Sequence, residues 1–290
     1  MDRSYLFAPG HNPKLLGKVF GAGADAVVLD LEDAVPPDAK QQARVLVAQA
    51  LAEHPAWVRV NAARSDLCAA DLDAVAGPAL GIKIPKVETP EDVLWVADRV
   101  PGAPIVCAVE TARGVLAAAE IATVTGVRHL AMGGVDLQRD LNAGNGNLHT
   151  LYVRSHLVVV SRAAEIEPPV DAVWPYLGDE AGLREQAEFA RSLGFSGKSA
   201  IHPRQLPVLH EVFTPSQREL DWARQVVDAF DAVGGEALRL PDGEFVDLPV
   251  AERARRLLEL AGGLSTVSSI RTARCARRQT YGPRYGQRCW

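Results

Sequence analysis

The amino-acid sequence predicts an α/β protein whose strands and helices close into a (β/α)8 barrel. Short, continuous apolar runs alternate with longer segments in which apolar residues recur every three or four positions. This alternation is typical of parallel strands that are covered by amphipathic helices. Eight such units fit within roughly 210 residues, which favours a closed barrel over an open, doubly wound sheet.

The predicted strands are the eight apolar runs of the first 202 residues. They cover residues 5–8, 26–31, 56–60, 81–85, 104–109, 129–132, 171–175 and 199–202. The segments between these runs have the apolar spacing of helices that bury one face. The clearest of them cover residues 13–22, 38–52, 90–100, 114–122, 150–166 and 180–193.

A C-terminal extension follows the eighth unit. Residues 216–230 predict a helix, which is followed by two short strands around a turn at 241–244 and by a last helix over 250–260. A closed barrel has no free edge at which further strands could pair, so we expect these elements to pack outside it or to reach a neighbouring subunit. From Ser265 onward the chain has six arginines and no acidic residue, which predicts a disordered end or a basic arm. The predicted domains are a barrel over 1–232, a lid over 233–263 and a basic, disordered tail over 264–290.

The composition excludes several classes of protein. A chain of 290 residues with 48% hydrophobic and 23% charged residues is typical of a globular protein. The net charge of −5 disfavours a nucleic-acid-binding surface, which needs clustered lysine and arginine. Residues 1–20 do not resemble a signal peptide, and no apolar run approaches the roughly 20 residues that cross a bilayer. We therefore expect a cytoplasmic protein without a membrane or nucleic-acid partner.

Several common catalytic motifs are also missing. No glycine-rich phosphate loop or dinucleotide fingerprint follows a predicted strand, and no Gly-x-Ser-x-Gly elbow occurs. The four cysteines fit neither a zinc site nor a disulfide framework. The candidate chemistry therefore lies elsewhere in the chain.

Ionisable side chains stand at the ends of six of the eight predicted strands. Because the carboxyl ends of parallel strands share one face of a barrel, these groups are expected to meet there. Buried charges are costly unless they are paired, so the groups form either one mutually neutralised site or a set of scattered helix caps. The charged residues in question are Asp30, Glu32, Asp33, Arg59, Lys83, Lys86, Glu110, Asp136 and, at the eighth strand, His202.

Glu110 and Asp136 end the fifth and sixth apolar runs, and each precedes a helix-like segment. Two carboxylates at one mouth of a barrel suit a hard divalent cation that keeps open positions for water or substrate. The simpler alternative is that Glu110 caps the next helix while Asp136 closes a turn.

Seven motifs stand in an order that resembles one known family. They are RSYLFAPG (3–10), LDLEDAV (29–35), VRVN (58–61), IPKV (84–87), ETARG (110–114), GGVDL (133–137) and GKSAIHP (197–203). The order is similar to that of citrate lyase β-subunit-like proteins, the CoA-ester lyase branch of the HpcH/HpaI aldolase and citrate lyase superfamily. The resemblance covers roughly residues 3 to 260, and DGEFVDLP (242–249) resembles the lid motif of that family.

This resemblance implies a TIM barrel of the phosphoenolpyruvate/pyruvate type. It implies that Glu110 and Asp136 hold Mg²⁺, or Mn²⁺ in its place, with help from the amides around Gly134 and Val135. The ion would be chelated by the 2-oxo or 2-hydroxy acid half of a CoA thioester substrate. Arg59 would then stabilise the enolate oxygen of the acyl-CoA half.

The resemblance also assigns supporting roles. Asp247 on the lid of an adjacent subunit would be the acid/base for the enolate carbon, which implies a homotrimer or a hexamer made of two trimers. Arg3 would contact the CoA phosphates. A supporting ionic network would consist of Asp30, Glu32, Asp33 and Lys86.

Two departures from the family pattern affect the substrate. Val135 stands where many members have an acid directly before the metal-binding aspartate, and residues 138–140 are not the usual continuation. Asp33 occupies the position at which related pyruvate aldolases have a histidine, which favours the CoA-ester branch.

The leading hypothesis is therefore an Mg²⁺-dependent carbon–carbon lyase. It would cleave or form a 3-hydroxyacyl-CoA, such as malyl-CoA, citramalyl-CoA or citryl-CoA, with an acyl-CoA and a 2-oxo acid as the other reactants. One alternative is a metal-dependent aldolase for free 2-keto-3-hydroxy acids, which would turn over without CoA. Another is an accessory subunit of an acyl-carrier lyase complex, which would co-purify with a partner chain.

Overall fold

The computed structural model describes residues 2–144 and 146–277, with side chains described as far as residue 262. Eight parallel strands close into a barrel, and each strand pairs with its neighbours in chain order. The barrel strands are β1 (Ser4–Pro9), β2 (Ala26–Asp30), β3 (Trp57–Arg59), β4 (Gly81–Ile84), β5 (Ile105–Val109), β6 (Val127–Met132), β7 (Val170–Asp171) and β8 (Gly197–Ala200). All eight predicted strands are therefore present.

Helices connect successive strands and cover the outside of the barrel. They are α1 (Pro13–Val19), α2 (Lys40–Glu53), α3 (Asp66–Val75), α4 (Pro90–Ala97), α5 (Ala112–Ala122), α6 (Gly134–Leu141), α7 (Asn147–Ala163), α8 (Glu180–Leu193) and α9 (Leu206–Phe213). Three of them, α3, α6 and α9, are not among the helices that were predicted most clearly from the sequence. In the part of the chain that the structure describes, no helix is both long and apolar enough to cross a membrane.

The core has two layers because side chains alternate between the two faces of each strand. Outward-facing residues pack against the helices, while an inner cluster that includes Tyr5, Val28, Trp57 and Val106 fills the barrel. Gly81 makes this filling possible, since a Cβ atom there would collide with the Trp57 ring. The interior is therefore a packed core rather than a channel.

Strand β7 is only two residues long and contributes few backbone pairs. Val170 is its single partner position for β6, and two positions pair with β8. A buried ionic cluster lies beside this strand, where Asp171 accepts hydrogen bonds from Lys198 Nζ at 2.5 Å and from Arg154 Nε at 3.0 Å. Asp171 is completely buried, and both cations are at most 4% exposed. These two ion pairs thus supplement the few backbone pairs of the short strand.

Replacing Asp171 with alanine should lower the free energy of unfolding by about 3–5 kcal/mol, because two buried cations lose their only carboxylate partner in this cluster. Chemical denaturation of the barrel measures this loss. The exposed Glu188→Ala on α8 is a matched control that removes the same charge and should change stability by less than about 0.5 kcal/mol. Equal effects of the two substitutions would contradict a structural role for the cluster.

The chain from Thr214 onward forms a second compact unit. Its elements are α10 (Gln217–Ala232), β9 (Leu238–Arg239), β10 (Phe245–Val246) and α11 (Leu248–Arg277), with β9 and β10 paired as an antiparallel hairpin. Apolar side chains of α10, including Val226 and Phe230, pack with Val246 and Ala251 of the hairpin and last helix. Helix α10 therefore belongs with this unit, which begins before the boundary predicted at residue 233.

The last helix continues beyond residue 263, where the sequence predicted a disordered tail. No proline interrupts the chain between Pro249 and Pro283, so nothing in the sequence forces the helix to end at that point. The remainder of the predicted tail, residues 278–290, lies outside the described residues.

Candidate active site

An arginine and a carboxylate of neighbouring strands form the centre of the site. Asp30 ends β2 and Arg59 ends β3, and the two residues pair in register. The Asp30 carboxylate accepts hydrogen bonds from Arg59 Nε at 2.8 Å and from a terminal guanidinium nitrogen at 2.7 Å. A second carboxylate, Glu32, lies 2.9 Å from the other terminal nitrogen. Burial opposes the charge on Arg59, but these carboxylates outweigh it and raise its pKa.

Lys86 extends this network from the end of β4. Its ammonium lies 2.5 Å from Glu32 and 3.1 Å from Asp33, and these carboxylates raise the pKa of Lys86 despite its partial burial. The backbone at Lys86 has φ +50°, a left-handed conformation that is uncommon for residues other than glycine. The ion pairs hold the Lys86 side chain in place, and the left-handed backbone turns the chain at the end of β4.

Glu110 lies just beyond β5 and is only 5% exposed. Its Oε2 atom is buried without a hydrogen-bond partner among the described residues. Burial, together with the nearby charge of Glu32, raises the pKa of Glu110 to about 7 even though Arg59 and Lys83 oppose the shift. Gly133 makes this position possible, since a Cβ atom there would collide with the Glu110 side chain. Burying a carboxylate without a partner costs free energy, and a bound cation would offset this cost.

Asp136 lies in the first turn of α6, which starts directly after β6. It is partly exposed, pairs with Arg139 at 2.8 Å and contributes to the raised pKa of Glu110. Two carboxylates of this kind are ligands that suit Mg²⁺ or another hard divalent cation. Among the described residues, no three His, Cys, Asp or Glu side chains form a metal-binding group, so Glu110 and Asp136 would leave positions for water or substrate.

Lys83 stands at the same strand end as Lys86, but no role was predicted for it from the sequence. Its residue is 7% exposed, and its Nζ lies 4.8 Å from the centre of the Phe7 ring. The Arg59 guanidinium lies 5.1 Å from the same ring. Burial, with a smaller effect of the Arg59 charge, lowers the pKa of Lys83 to about 8. The strand alternation could have indicated this position, because Ile82 and Ile84 face the opposite side.

The structure brings most of the predicted site residues to the carboxyl ends of the strands. Gly134 and Val135 open α6 beside Asp136, and the Val135 side chain is 56% exposed. Gly134 is close to Ala172, so a side chain at this position would be crowded. The other residues of this group are Asp30, Glu32, Asp33, Arg59, Lys86, Glu110 and Asp136.

Two predicted residues belong to other parts of the chain. Arg3 precedes β1 and so lies at the amino-terminal end of the barrel, where its Nε donates to Asp25 at 2.7 Å. The contact with the CoA phosphates that the resemblance implied for Arg3 stays a prediction. Asp247 lies in the C-terminal unit, where its carboxylate accepts a hydrogen bond from the Val250 amide at 3.3 Å at the start of α11.

The family model described as HpcH/HpaI aldolase/citrate lyase matches residues 3–203. The chain belongs to this family. It is 36% identical over 282 residues to the citrate lyase subunit beta of Escherichia coli strain K12, covering 89% of this chain and 93% of that protein. It is also 36% identical over 272 residues to a (3S)-malyl-CoA thioesterase of Cereibacter sphaeroides strain ATCC 17025, covering 91% of this chain and 95% of that protein.

A solved structure has the same fold. The crystal structure of CitE from Mycobacterium tuberculosis in complex with magnesium, acetoacetate and coenzyme A superposes with a TM-score of 0.79 at 32% identity. The match covers 90% of this chain and 98% of that one. The predicted TIM barrel and the predicted family are thus confirmed, and the HpcH/HpaI family member described here is an enzyme of the lyase class.

Proposed function

We propose that this family member is an Mg²⁺-dependent carbon–carbon lyase for a 3-hydroxyacyl-CoA, such as malyl-CoA, citramalyl-CoA or citryl-CoA. It cleaves this thioester to an acyl-CoA and a 2-oxo acid, or catalyses the reverse condensation. The observation that carries the proposal is the position of the Arg59 guanidinium at the same strand ends as the unpartnered, buried carboxylate of Glu110. The CitE complex and the malyl-CoA thioesterase support the choice of a CoA thioester and an oxo acid.

Glu110 and Asp136 would hold the Mg²⁺ ion. When bound, the ion acts as a Lewis acid that polarises the oxygens of the oxo-acid half of the substrate. The residues themselves fit such an ion, because they are hard oxygen donors and Glu110 Oε2 has no other partner among the described residues.

Arg59 stabilises the negative charge that develops on the thioester oxygen when the carbon–carbon bond breaks. A guanidinium has five N–H groups, and Asp30 accepts two of them while Glu32 lies 2.9 Å from the remaining terminal nitrogen, so donors stay available for the thioester oxygen. The same two carboxylates hold the guanidinium plane in one orientation. This arrangement places the remaining donors before the reaction begins, so no reorganisation is needed as charge develops.

Asp247 of an adjacent subunit supplies the acid/base in this proposal. Its carboxyl group protonates the enolate carbon in cleavage and removes a proton from the acyl-CoA in condensation. A homotrimer, or a hexamer of two trimers, would provide the neighbouring subunit. Its half-buried position at the start of α11 leaves the second carboxylate oxygen for this role.

Turnover of malyl-CoA and citramalyl-CoA, with and without Mg²⁺, tests the proposed function. We expect Mg²⁺-dependent release of acetyl-CoA together with glyoxylate from the first compound and pyruvate from the second. Release of free CoA, measured in the same assay, would reveal an additional thioesterase step of the kind named for the Cereibacter relative. Turnover of free 2-keto-3-hydroxy acids without any thioester would instead support the aldolase alternative.

The affinity for Mg²⁺ should fall as the pH is lowered through the pKa of Glu110. Glu110 must lose its proton to bind the ion, and its pKa in the metal-free chain is about 7. Below this pH the carboxyl group becomes protonated, so the association constant should fall by about tenfold for each further pH unit. Calorimetric Mg²⁺ titrations from pH 5.5 to pH 8.5 measure this dependence at roughly half-unit steps. A constant affinity across this interval would exclude Glu110 as a ligand with a raised pKa.

A further inference from the structure

Lys83 is a buried cation that the proposed mechanism does not use. It lies on β4, between the strand that carries Arg59 and the strand that leads to Glu110. In the backbone register it is the direct partner of Arg59. Its ammonium is close to the Phe7 ring and is surrounded by the charges of Arg59, Glu110, Asp30 and Glu32. The Lys83 side chain therefore lies inside the barrel, next to the charged groups at the carboxyl ends of the strands.

No oxygen atom of the described residues pairs with the Lys83 ammonium. The other buried or half-buried lysines of the barrel differ in this respect, since each has an oxygen partner within hydrogen-bonding distance. These pairs are Lys40 with the Leu31 carbonyl at 2.7 Å, Lys86 with Glu32 at 2.5 Å and Lys198 with Asp171 at 2.5 Å. A buried ammonium without an anion is costly, and a cation–π contact compensates for only part of the lost hydration.

The neighbouring carboxylates are already engaged. Asp30 accepts two hydrogen bonds from Arg59, and Glu32 bridges Arg59 and Lys86. Glu110 is the proposed cation ligand. Lys83 therefore keeps no oxygen partner of its own among the described residues, and a negative group that pairs with its ammonium would come with the substrate.

We propose that Lys83 binds the carboxylate of the oxo-acid half of the substrate. This inference rests on the proposed function, which places that half at Glu110 and Asp136. A carboxylate has two oxygens, so one can face the cation site while the other accepts a hydrogen bond from Lys83. Arg59 then contacts the thioester half of the substrate. Arg59 and Lys83, on neighbouring strands, thus each bind the half that becomes one product of cleavage. Lys83 would thereby select acids over neutral ketones or aldehydes.

Direct binding measurements on the full chain test this role without relying on turnover. Lys83→Met should raise the dissociation constant for pyruvate, measured calorimetrically with Mg²⁺ present, by about 10- to 100-fold, which is typical for loss of a charged hydrogen bond. Lys83→Arg should recover part of the affinity, because it restores the charge. The dissociation constant for coenzyme A should stay the same. The exposed Lys18→Met on α1 is the matched control and should bind pyruvate like the unaltered chain.

The thermal midpoint separates binding from a structural role. If Lys83 only supported the fold, Lys83→Met would lower the midpoint and weaken pyruvate, coenzyme A and Mg²⁺ binding together, which would overturn the inference. The proposal predicts the opposite, since methionine removes an unpaired buried charge and should raise the midpoint of the ligand-free chain. Equal pyruvate affinity of the methionine variant and the unaltered chain would overturn the role of Lys83 alone. Failure of the unaltered chain to bind any of pyruvate, glyoxylate and oxaloacetate would overturn the proposed function as well.

Discussion

Glu110→Ala should abolish Mg²⁺-dependent turnover of the thioester substrate while leaving the barrel folded. Loss of a group that merely orients a metal ligand already costs about 10- to 100-fold in affinity or activity, and loss of the ligand itself should cost more. The variant also removes a buried carboxylate without a partner for one of its oxygens, so its stability should not fall by the amount typical of a broken buried ion pair. Steady-state kinetics and an Mg²⁺ titration measure the two effects.

The exposed Glu120→Ala on α5 is the control for this experiment, since it removes the same side chain and charge from the helix that follows Glu110. It should keep full activity. An Mg²⁺ titration of Glu110→Ala that matches the unaltered chain would remove Glu110 from the metal site.

The second large effect is expected for Asp247→Asn. Turnover should fall by roughly 10² to 10⁴, because an amide cannot act as the acid or base for the enolate carbon. Binding of Mg²⁺, pyruvate and coenzyme A should be nearly unchanged. Asparagine is as good a helix N-cap as aspartate, so the hydrogen bond to the Val250 amide and the start of α11 should be preserved.

A residue of the same hairpin provides the comparison. Asp242 is exposed in the turn between β9 and β10, and Asp242→Asn removes the same charge from the C-terminal unit. This variant should retain its turnover. Exchange of the acetyl-CoA methyl protons with deuterated water, followed by NMR, isolates the proton transfer from bond cleavage. Unchanged exchange in Asp247→Asn would show that another group moves the proton.

Much of the barrel could be predicted because its strands are continuous apolar runs, and buried parallel strands require this pattern. Two of the helices that were not predicted, α3 and α6, lack a clear signal. Helix α6 follows a glycine N-cap, begins with a second glycine and has only eight residues, while α3 contains three aspartates among its ten residues. Contacts with the rest of the barrel, rather than local preference, stabilise such short helices. The position of α10 likewise depends on its packing with α11, which the sequence alone does not reveal.

The site residues could be predicted where a charged residue directly follows a strand, since all eight parallel strands end at the same face of the barrel. Glu110 and Asp136 were predicted in this way, and so were Asp30 and Arg59. Their pairing could not be predicted, because it depends on the register of β2 against β3. The position of Asp247 relative to any neighbouring subunit stays a prediction. No role was predicted for Lys83, because the absence of an oxygen partner for its ammonium becomes visible only in the structure.

The short strand β7 has a consequence for motion. With one paired position to β6 and two to β8, this segment has the fewest interstrand hydrogen bonds to break. Segments of this kind open locally at a lower free energy than the global transition. Deuterium should therefore enter the amides of β7 before those of β1 and β5. The buried ion pair of Asp171 with Lys198 joins β7 to β8, so the closure of the barrel at this strand depends on a charged contact as well as on backbone hydrogen bonds.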